Sequence, residues 1–330
     1  MSTSSSLRRR IVTAVLGLGL AGVASGCASV SGTAGAAGGR VRVATTVAPI
    51  TDIARAVIGN DADVTGLIPE GVDSHTFEPS PTTIRTLADS DVLFLDGLHL
   101  EGSTEEQAHA NMPDGSRIVE LGARTIARRD WAFDFSFPKA KGDPNPHLWM
   151  APPFAERFAE IIRDEMVRRD PGHAAGYRSR FRDYAALLDR LDAAIARSIS
   201  SIPADHRVLL TYHDAYAYFA RRYGMRVLGA VQPSDFSEPS AREVRALIDQ
   251  LRSTKVPAIF GSEVFPSTVL EQVAHETGVH YVDKLRDDEL PGRPGSPEHT
   301  YVGMMSRDVE LITAALGGDP TPLRSIGARP

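Results

Sequence analysis

The sequence contains very little cysteine and lysine, and it lacks the motifs of several common enzyme classes. One cysteine and four lysines occur in 330 residues, and a single cysteine cannot build a disulfide framework. Neither a GxxxxGK[ST] loop nor a GxSxG turn is present. These absences exclude a P-loop nucleotidase and a serine hydrolase with a nucleophile elbow. The net charge of −6 argues against a nucleic-acid partner.

The N-terminal region has the pattern of an export signal that ends at the only cysteine. Three arginines at positions 8–10 precede an apolar stretch, residues 11–24, that is too short for a permanent membrane span. Small residues then lead to Cys27, so residues 1–27 resemble a lipoprotein signal peptide whose cysteine receives lipid. An ordinary secretory signal is the alternative, and the arginine run leaves Sec and twin-arginine export both open. We expect residues 28–40 to form a flexible tether.

From residue 41 onward, strand and helix patterns alternate, which predicts an α/β fold with parallel sheets and crossover helices. The alternation occurs twice, and it predicts one lobe over residues 41–171 and a second over residues 203–330. Between them, apolar residues recur at intervals of three and four from Tyr177 to Ile195. This spacing predicts one long helix over residues 172–202. We expect that helix to pack on both lobes as a stiff spine.

Three histidines lie in turns or loops that follow apolar stretches. His213 follows the strand pattern at Val208, and His75 and His147 occupy loops bracketed by prolines. Ligands of open α/β sheets bind at the carboxyl ends of strands. A lone histidine is more often structural, but three on stiff loops predict a metal site. Of the other histidines, His99 is interpreted as a packing or loop residue, with a metal ligand as the weaker alternative, and His109, His173, His206 and His299 are interpreted as solvated.

Seven stretches resemble, in the same order, the zinc and manganese solute-binding proteins of ABC transporters (bacterial solute-binding protein family 9, cluster A-I). They are GVDSHTFEPSP, DGLHLEG, NPHLWMAP, VLLTYHDAYAYFARRYGM, SEPSA, VPAIFGSE and HTYVGMMSRDVELI. The resemblance implies two α/β lobes joined by one long helix, with one zinc or manganese ion between the lobes as the transported ligand. It also implies that His75 and His147 come from the first lobe, and His213 and a carboxylate from the second.

The resemblance places the carboxylate ligand in LRDDELPG, where Asp288 takes the ligand position. Asp283 is the main alternative, and Asp287 and Glu263 are further ones. The chain also departs from the family pattern at two positions. Ser74 stands where proline is usual, which we expect to loosen the first histidine loop. Asp308 stands where asparagine is common, which we expect to be harmless.

The function implied by the resemblance is that of a receptor rather than an enzyme. It would capture zinc or manganese outside the cytoplasm and deliver the ion to an ABC permease with its ATPase. We expect a monomer that is held at the cell membrane by a lipid on Cys27. An exported metal-dependent hydrolase, which would need an open coordination position and a general base, and a metal-binding adhesin are the alternatives. Many zinc-dedicated members of this family carry a histidine-rich acidic loop near the second ligand, whereas the corresponding residues 131–146 contain no histidine. Together with the placement of the carboxylate in LRDDEL, the resemblance therefore implies manganese as the physiological ion.

Overall fold

The first half of the chain folds around a four-stranded parallel sheet. The computed structural model describes residues 39–232, 237, 239–254, 256–262 and 268–327. The elements of this half are β1 (Arg42–Thr45), α1 (Ala48–Ile58), β2 (Asp63–Gly66), α2 (Pro81–Ala88), β3 (Val92–Leu95), α3 (Gly102–Asn111), β4 (Arg117–Glu120) and α4 (Leu121–Thr125). The strands lie in the order β2-β1-β3-β4. The short strands β1 and β3 are almost wholly buried, as expected for a parallel sheet covered on both faces.

The second half repeats the same sheet order. Two helices, α5 (Pro152–Arg169) and α6 (Ala174–Ser200), connect the halves. The elements that follow are β5 (Val208–Thr211), α7 (Ala217–Tyr223), β6 (Arg226–Ala230), α8 (Ala241–Thr254), β7 (Ala258–Ser262), α9 (Thr268–Thr277), β8 (His280–Leu285) and α10 (Tyr301–Ala315). The strands lie in the order β6-β5-β7-β8, and all pairs in both sheets are parallel. The predicted α/β class is confirmed.

Helix α6 is the spine that the apolar spacing predicts. It runs for 27 residues, and its buried positions include Tyr177, Tyr184, Leu188, Leu191 and Ile195. It packs on α1 and α5 from the first half and on α7 and α10 from the second. One hydrophobic cluster therefore runs from the first sheet through the spine into the second sheet. A continuous core of this kind opposes a wide separation of the halves, because separation would expose apolar surface to water.

The sheet topology determines where a ligand site can form. In each sheet the strand order reverses next to the first strand of that half, between β1 and β3 and between β5 and β7. Such a reversal opens a crevice at the carboxyl ends of the strands. A contact between His75, after β2, and His213, after β5, shows that the carboxyl-end loops of the two sheets meet.

Some sequence-based expectations are corrected or lie outside the described residues. Helices α3 and α4 are not predicted by the apolar pattern, because α3 buries only Thr104 and Ala108 and α4 spans five residues. The interpretation of His299 as solvated is wrong: it is 8% exposed, and its Nε2 lies 3.3 Å from Glu70 Oε1. Cys27, Glu263 and most of the predicted tether lie outside the described residues. Within the described ranges, no helix has the length and apolar character needed to cross a membrane.

Candidate metal centre

The structure brings the three predicted histidines into direct contact. The ring centroids of His147 and His213 are 4.7 Å apart, and each lies 5.3 Å from that of His75. One ring nitrogen from each residue can be chosen so that all three lie within 4.8 Å of one another. His75 Nε2 and His213 Nε2 are 3.2 Å apart. Two nitrogens bound to one tetrahedral zinc ion lie roughly 3.3 Å apart at ordinary Zn–N distances, so this spacing fits a shared ion.

His213 is fixed by a buried carboxylate. His213 lies two residues after the end of β5. The Thr211 hydroxyl, at the last residue of that strand, donates a 2.7 Å hydrogen bond to the His213 carbonyl. His213 Nδ1 lies 3.1 Å from Asp287 Oδ2, and both side chains are almost fully buried. Because Nδ1 is engaged by the carboxylate, Nε2 is the nitrogen directed at the other two histidines. A carboxylate behind a histidine ligand holds the ring in one orientation and makes it a better donor.

His147 is fixed by the asparagine two residues before it. Asn145 Oδ1 lies 2.9 Å from His147 Nδ1 and also accepts a 3.0 Å hydrogen bond from the His147 amide. His147 Nε2 is buried and has no hydrogen-bond partner among the described residues. A buried polar atom without a partner is costly, so this nitrogen is suited to bind a ligand. Trp149 and Phe137 pack against the ring at centroid distances of 5.2 and 5.9 Å.

The electrostatics of the three rings differ. Burial, together with the charge of His213, holds the pKa values of His75 and His147 well below the ordinary histidine value, so both rings are neutral at pH 7. Burial alone would lower the pKa of His213 as well, but the Asp287 carboxylate outweighs burial and raises that pKa to about 9. In the metal-free protein, His213 therefore carries a proton that its Nε2 donates to His75. An ion bound to all three nitrogens would displace this proton.

Asp288 lies beside the histidines but does not complete their cluster. It is 5% exposed, and Ser74 Oγ donates a 2.5 Å hydrogen bond to its Oδ2. Its Oδ1 is buried and has no partner among the described residues. Burial and the neighbouring Asp287 raise the pKa of Asp288 to about 7. The expectation that Ser74 loosens the first loop stays a prediction, and in the structure its buried hydroxyl bonds the loop of His75 to the loop after β8.

The other candidate residues lie elsewhere. Asp283 is exposed on β8, and His99 is exposed beside Asp143. Asp308 is fully buried, where it accepts hydrogen bonds from the Tyr216 hydroxyl and the Arg286 amide. Burial raises its pKa well above the ordinary value. The sequence does not predict that Asn145 and Asp287 position the histidines. Each stands within two residues of a predicted ligand, His147 or Asp288, which is a signal for such a role, but the contact of Asp287 with His213 arises only in the folded chain.

The segment that carries His147 is also bonded to the second half. The Ala132 amide donates to the Tyr218 hydroxyl over 3.1 Å, and the Ser136 amide donates to Asp214 Oδ2 over 2.8 Å. Asn145 Nδ2 donates to the Asp214 carbonyl over 2.5 Å. Residues 131–146, called the cross-connection below, therefore hold the two sheets together next to the three histidines.

Comparison with known proteins assigns the chain to a family. The family model described as the periplasmic component A of a zinc-uptake complex matches residues 43–315. The chain belongs to this family. It is similar to the zinc-binding protein TroA of Treponema pallidum, with 32% identity over 94% of this chain and 99% of the relative. The solved structure of TroA matches with a TM-score of 0.77 at 29% identity, and covers 84% of this chain and 99% of that chain.

Relatives that are named for other metals also match this chain over most of its length. The iron-binding protein YfeA of Yersinia pestis is 30% identical over 84% of this chain and 87% of the relative. The manganese-binding lipoprotein MntA of Bacillus subtilis is 31% identical over 84% of this chain and 90% of the relative. Similarity to members named for three different metals means that overall likeness does not select one ion.

Replacing Asp287 with asparagine is expected to weaken metal binding without unfolding the protein. Asparagine keeps the shape and one hydrogen bond to His213 Nδ1, but it removes the charge that supports the ring. We expect the zinc affinity of Asp287→Asn to fall roughly 10- to 100-fold, as measured by competition with a chromogenic chelator. Asp283→Asn is the matched control, because Asp283 is exposed on β8 in the same half. Wild-type affinity in Asp287→Asn, or an equal loss in the control, would contradict this assignment.

Proposed function

We propose that this protein captures one divalent transition-metal ion outside the cytoplasm and delivers it to the permease of an ABC transporter. The observation that carries the proposal is the convergence of three histidine nitrogens within 4.8 Å, from loops of both sheets. Membership of the zinc-uptake family supports the same function. Zinc and manganese, the metals named for TroA and MntA, are the ions we propose for this chain.

We propose His75, His147, His213 and Asp288 as the four ligands. The buried, unpartnered Nε2 of His147 and Oδ1 of Asp288 support this choice, because metal binding would satisfy both atoms. Asp283 is disfavoured because it is exposed, and Asp287 because its Oδ2 already holds His213. We also propose the predicted boundaries of the two lobes, residues 41–171 and 203–330, with the spine over residues 172–202.

A binding role suits this site better than hydrolysis. Catalytic zinc sites keep a coordination position open for water or substrate. Here His147, His213 and Asp288 are 0%, 1% and 5% exposed, so a polymer or a peptide has no room to reach the ion. We therefore propose that the chain is not an enzyme. The adhesin alternative gains no support from the described residues.

The setting of the protein is also a proposal. The name of MntA as a lipoprotein supports a lipid anchor, which in this chain would be attached to Cys27 at the end of the signal pattern. We propose that the mature protein is a monomer held at the outer face of the cell membrane. There it would meet the transmembrane subunits of the permease, which are driven by their ATPase.

Removal of one histidine ligand is expected to abolish tight binding. His213→Ala leaves two nitrogens and one carboxylate, so zinc affinity should fall by at least about 100-fold. The wild-type protein should also melt at a higher temperature with zinc than without it, because the ion binds only the folded state. The variant should lose that rise. Isothermal titration and thermal melting of the metal-free protein measure both effects.

The control for this experiment is His275→Ala, which changes an exposed histidine on α9 in the same half. It should bind zinc and gain stability as the wild type does. A wild-type zinc affinity in His213→Ala would refute the proposed site. If His213→Ala does not fold, the same measurements are made on His147→Ala, which removes a proposed ligand from the other half.

The donor set is expected to bind zinc more tightly than manganese. Three imidazoles and one carboxylate follow the general order of metal affinities, which places zinc well above manganese. The lack of histidine in residues 131–146 favours manganese as the physiological ion. If zinc binds more tightly, that preference would depend on which ion is available in the cell. Competition titration should show one shared site per chain. Two independent sites, or manganese displacing zinc at equal concentration, would contradict this expectation.

The anchor is tested by substitution of the cysteine. Cys27→Ala removes the only thiol that could receive a lipid. We expect the variant to appear in the soluble fraction after signal cleavage, or to remain unprocessed, whereas the wild type sediments with membranes. Cell fractionation with immunoblotting makes the measurement. A processed variant that still sediments with membranes would contradict the lipoprotein assignment.

A further inference from the structure

A small cavity in the first half lies against His75, one member of the histidine cluster. It has a volume of about 140 Å³ and is lined by His75, Leu98, His99, Phe137, Asp143 and Pro146, among others. On this measure of volume, about 10–15 Å³ is enough to hold one water molecule. The cavity is therefore large enough for an ion that keeps part of its hydration shell. It is too small for an organic ligand of ordinary size.

His75 is the ligand that an ion entering through this cavity would meet first. His147 and His213 are buried, with 0% and 1% of their surface exposed, whereas His75 is partly exposed. His75 is also the one member of the three-histidine cluster that lines the cavity. An ion that uses this route therefore contacts His75 before it contacts the other two rings.

A second pair of metal-binding side chains lies along the same cavity. His99 Nε2 is 3.6 Å from Asp143 Oδ1, and the two side chains are 66% and 53% exposed. Imidazole and carboxylate are both ligands of zinc and manganese. The backbone at Leu98 and His99 has φ values of 51° and 71°, a region that residues other than glycine rarely adopt. The chain thus places His99 opposite Asp143 in spite of an unfavourable backbone conformation, which is a common feature of functional positions.

We propose that His99 and Asp143 form an outer cation site that receives the divalent ion before it passes through the cavity to His75. The inference rests on the proposed function, and it adds a route for the ion. Two exposed ligands give weak, rapidly reversible binding, which suits transfer rather than storage. Lys141 also lines the cavity, and its positive charge shortens the residence of a cation at this point.

An outer site of this kind acts on rates rather than on equilibrium affinity. It raises the local concentration of the ion at the mouth of the cavity. The ion binds there briefly both on its way to the inner site and on its way out. Its loss should slow association and dissociation by similar factors. The equilibrium constant of the inner site, which depends on other residues, should stay nearly constant.

The test is stopped-flow mixing of the metal-free full-length protein with zinc, followed by the fluorescence of Trp149, which packs against His147. The variants are His99→Asn and Asp143→Asn, since asparagine tolerates the left-handed backbone at position 99. Each should load zinc about tenfold more slowly than the wild type, because His99→Asn removes one ligand of the outer site and Asp143→Asn removes the other together with its charge. Release to excess chelator should slow by a similar factor, with the equilibrium affinity within about twofold.

The matched control is His109→Asn. His109 is also 66% exposed and pairs with a carboxylate, Glu105, over 3.8 Å, but it lies on α3 and does not line the cavity. It should load zinc at the wild-type rate. Wild-type rates in both test variants, or an equal slowing in the control, would overturn the outer site. Tight binding with unchanged rates would refute this inference alone, whereas the absence of tight zinc binding in the wild type would refute the proposed function itself.

Discussion

The candidate metal centre depends on three imidazoles that pack together and carry one positive charge among them. Two of these rings are neutral, and the third is held protonated by Asp287. Asn145 and Asp287 engage the Nδ1 atoms of His147 and His213 and leave the Nε2 atoms directed inward. The cluster is thus arranged for an ion that displaces the proton on His213 Nε2.

This arrangement requires the two sheets to keep a fixed position relative to each other. His75 and His147 come from the first half and His213 from the second, so a shift of one half would separate the donor atoms. Helix α6 and the shared core oppose such a shift over the length of the molecule. The cross-connection opposes it locally, through the bonds of Ser136 and Asn145 to Asp214. A movement that separates the halves would therefore break polar contacts beside the site.

The sequence predicts the fold and the three histidines because both have local signals. Alternating patterns identify the strands and helices, and apolar spacing identifies α6, since each depends on residues close together in the chain. The partners of the ligands are harder to predict. Asp287 meets His213, and Ser74 meets Asp288, across more than seventy and two hundred residues respectively. The burial of His299 likewise results from a tertiary contact with Glu70 that no local pattern reveals.

A crystal structure of the zinc-loaded protein, with an anomalous difference map at the zinc edge, would identify the ligands directly. We expect one zinc ion per chain, bound by the Nε2 atoms of His75, His147 and His213 and by one oxygen of Asp288. The bonds should measure about 2.0–2.2 Å, with Asn145 and Asp287 still bonded to the Nδ1 atoms. An anomalous peak that lacks any one of the three histidines, or coordination through Nδ1 of His147 or His213, would contradict this expectation.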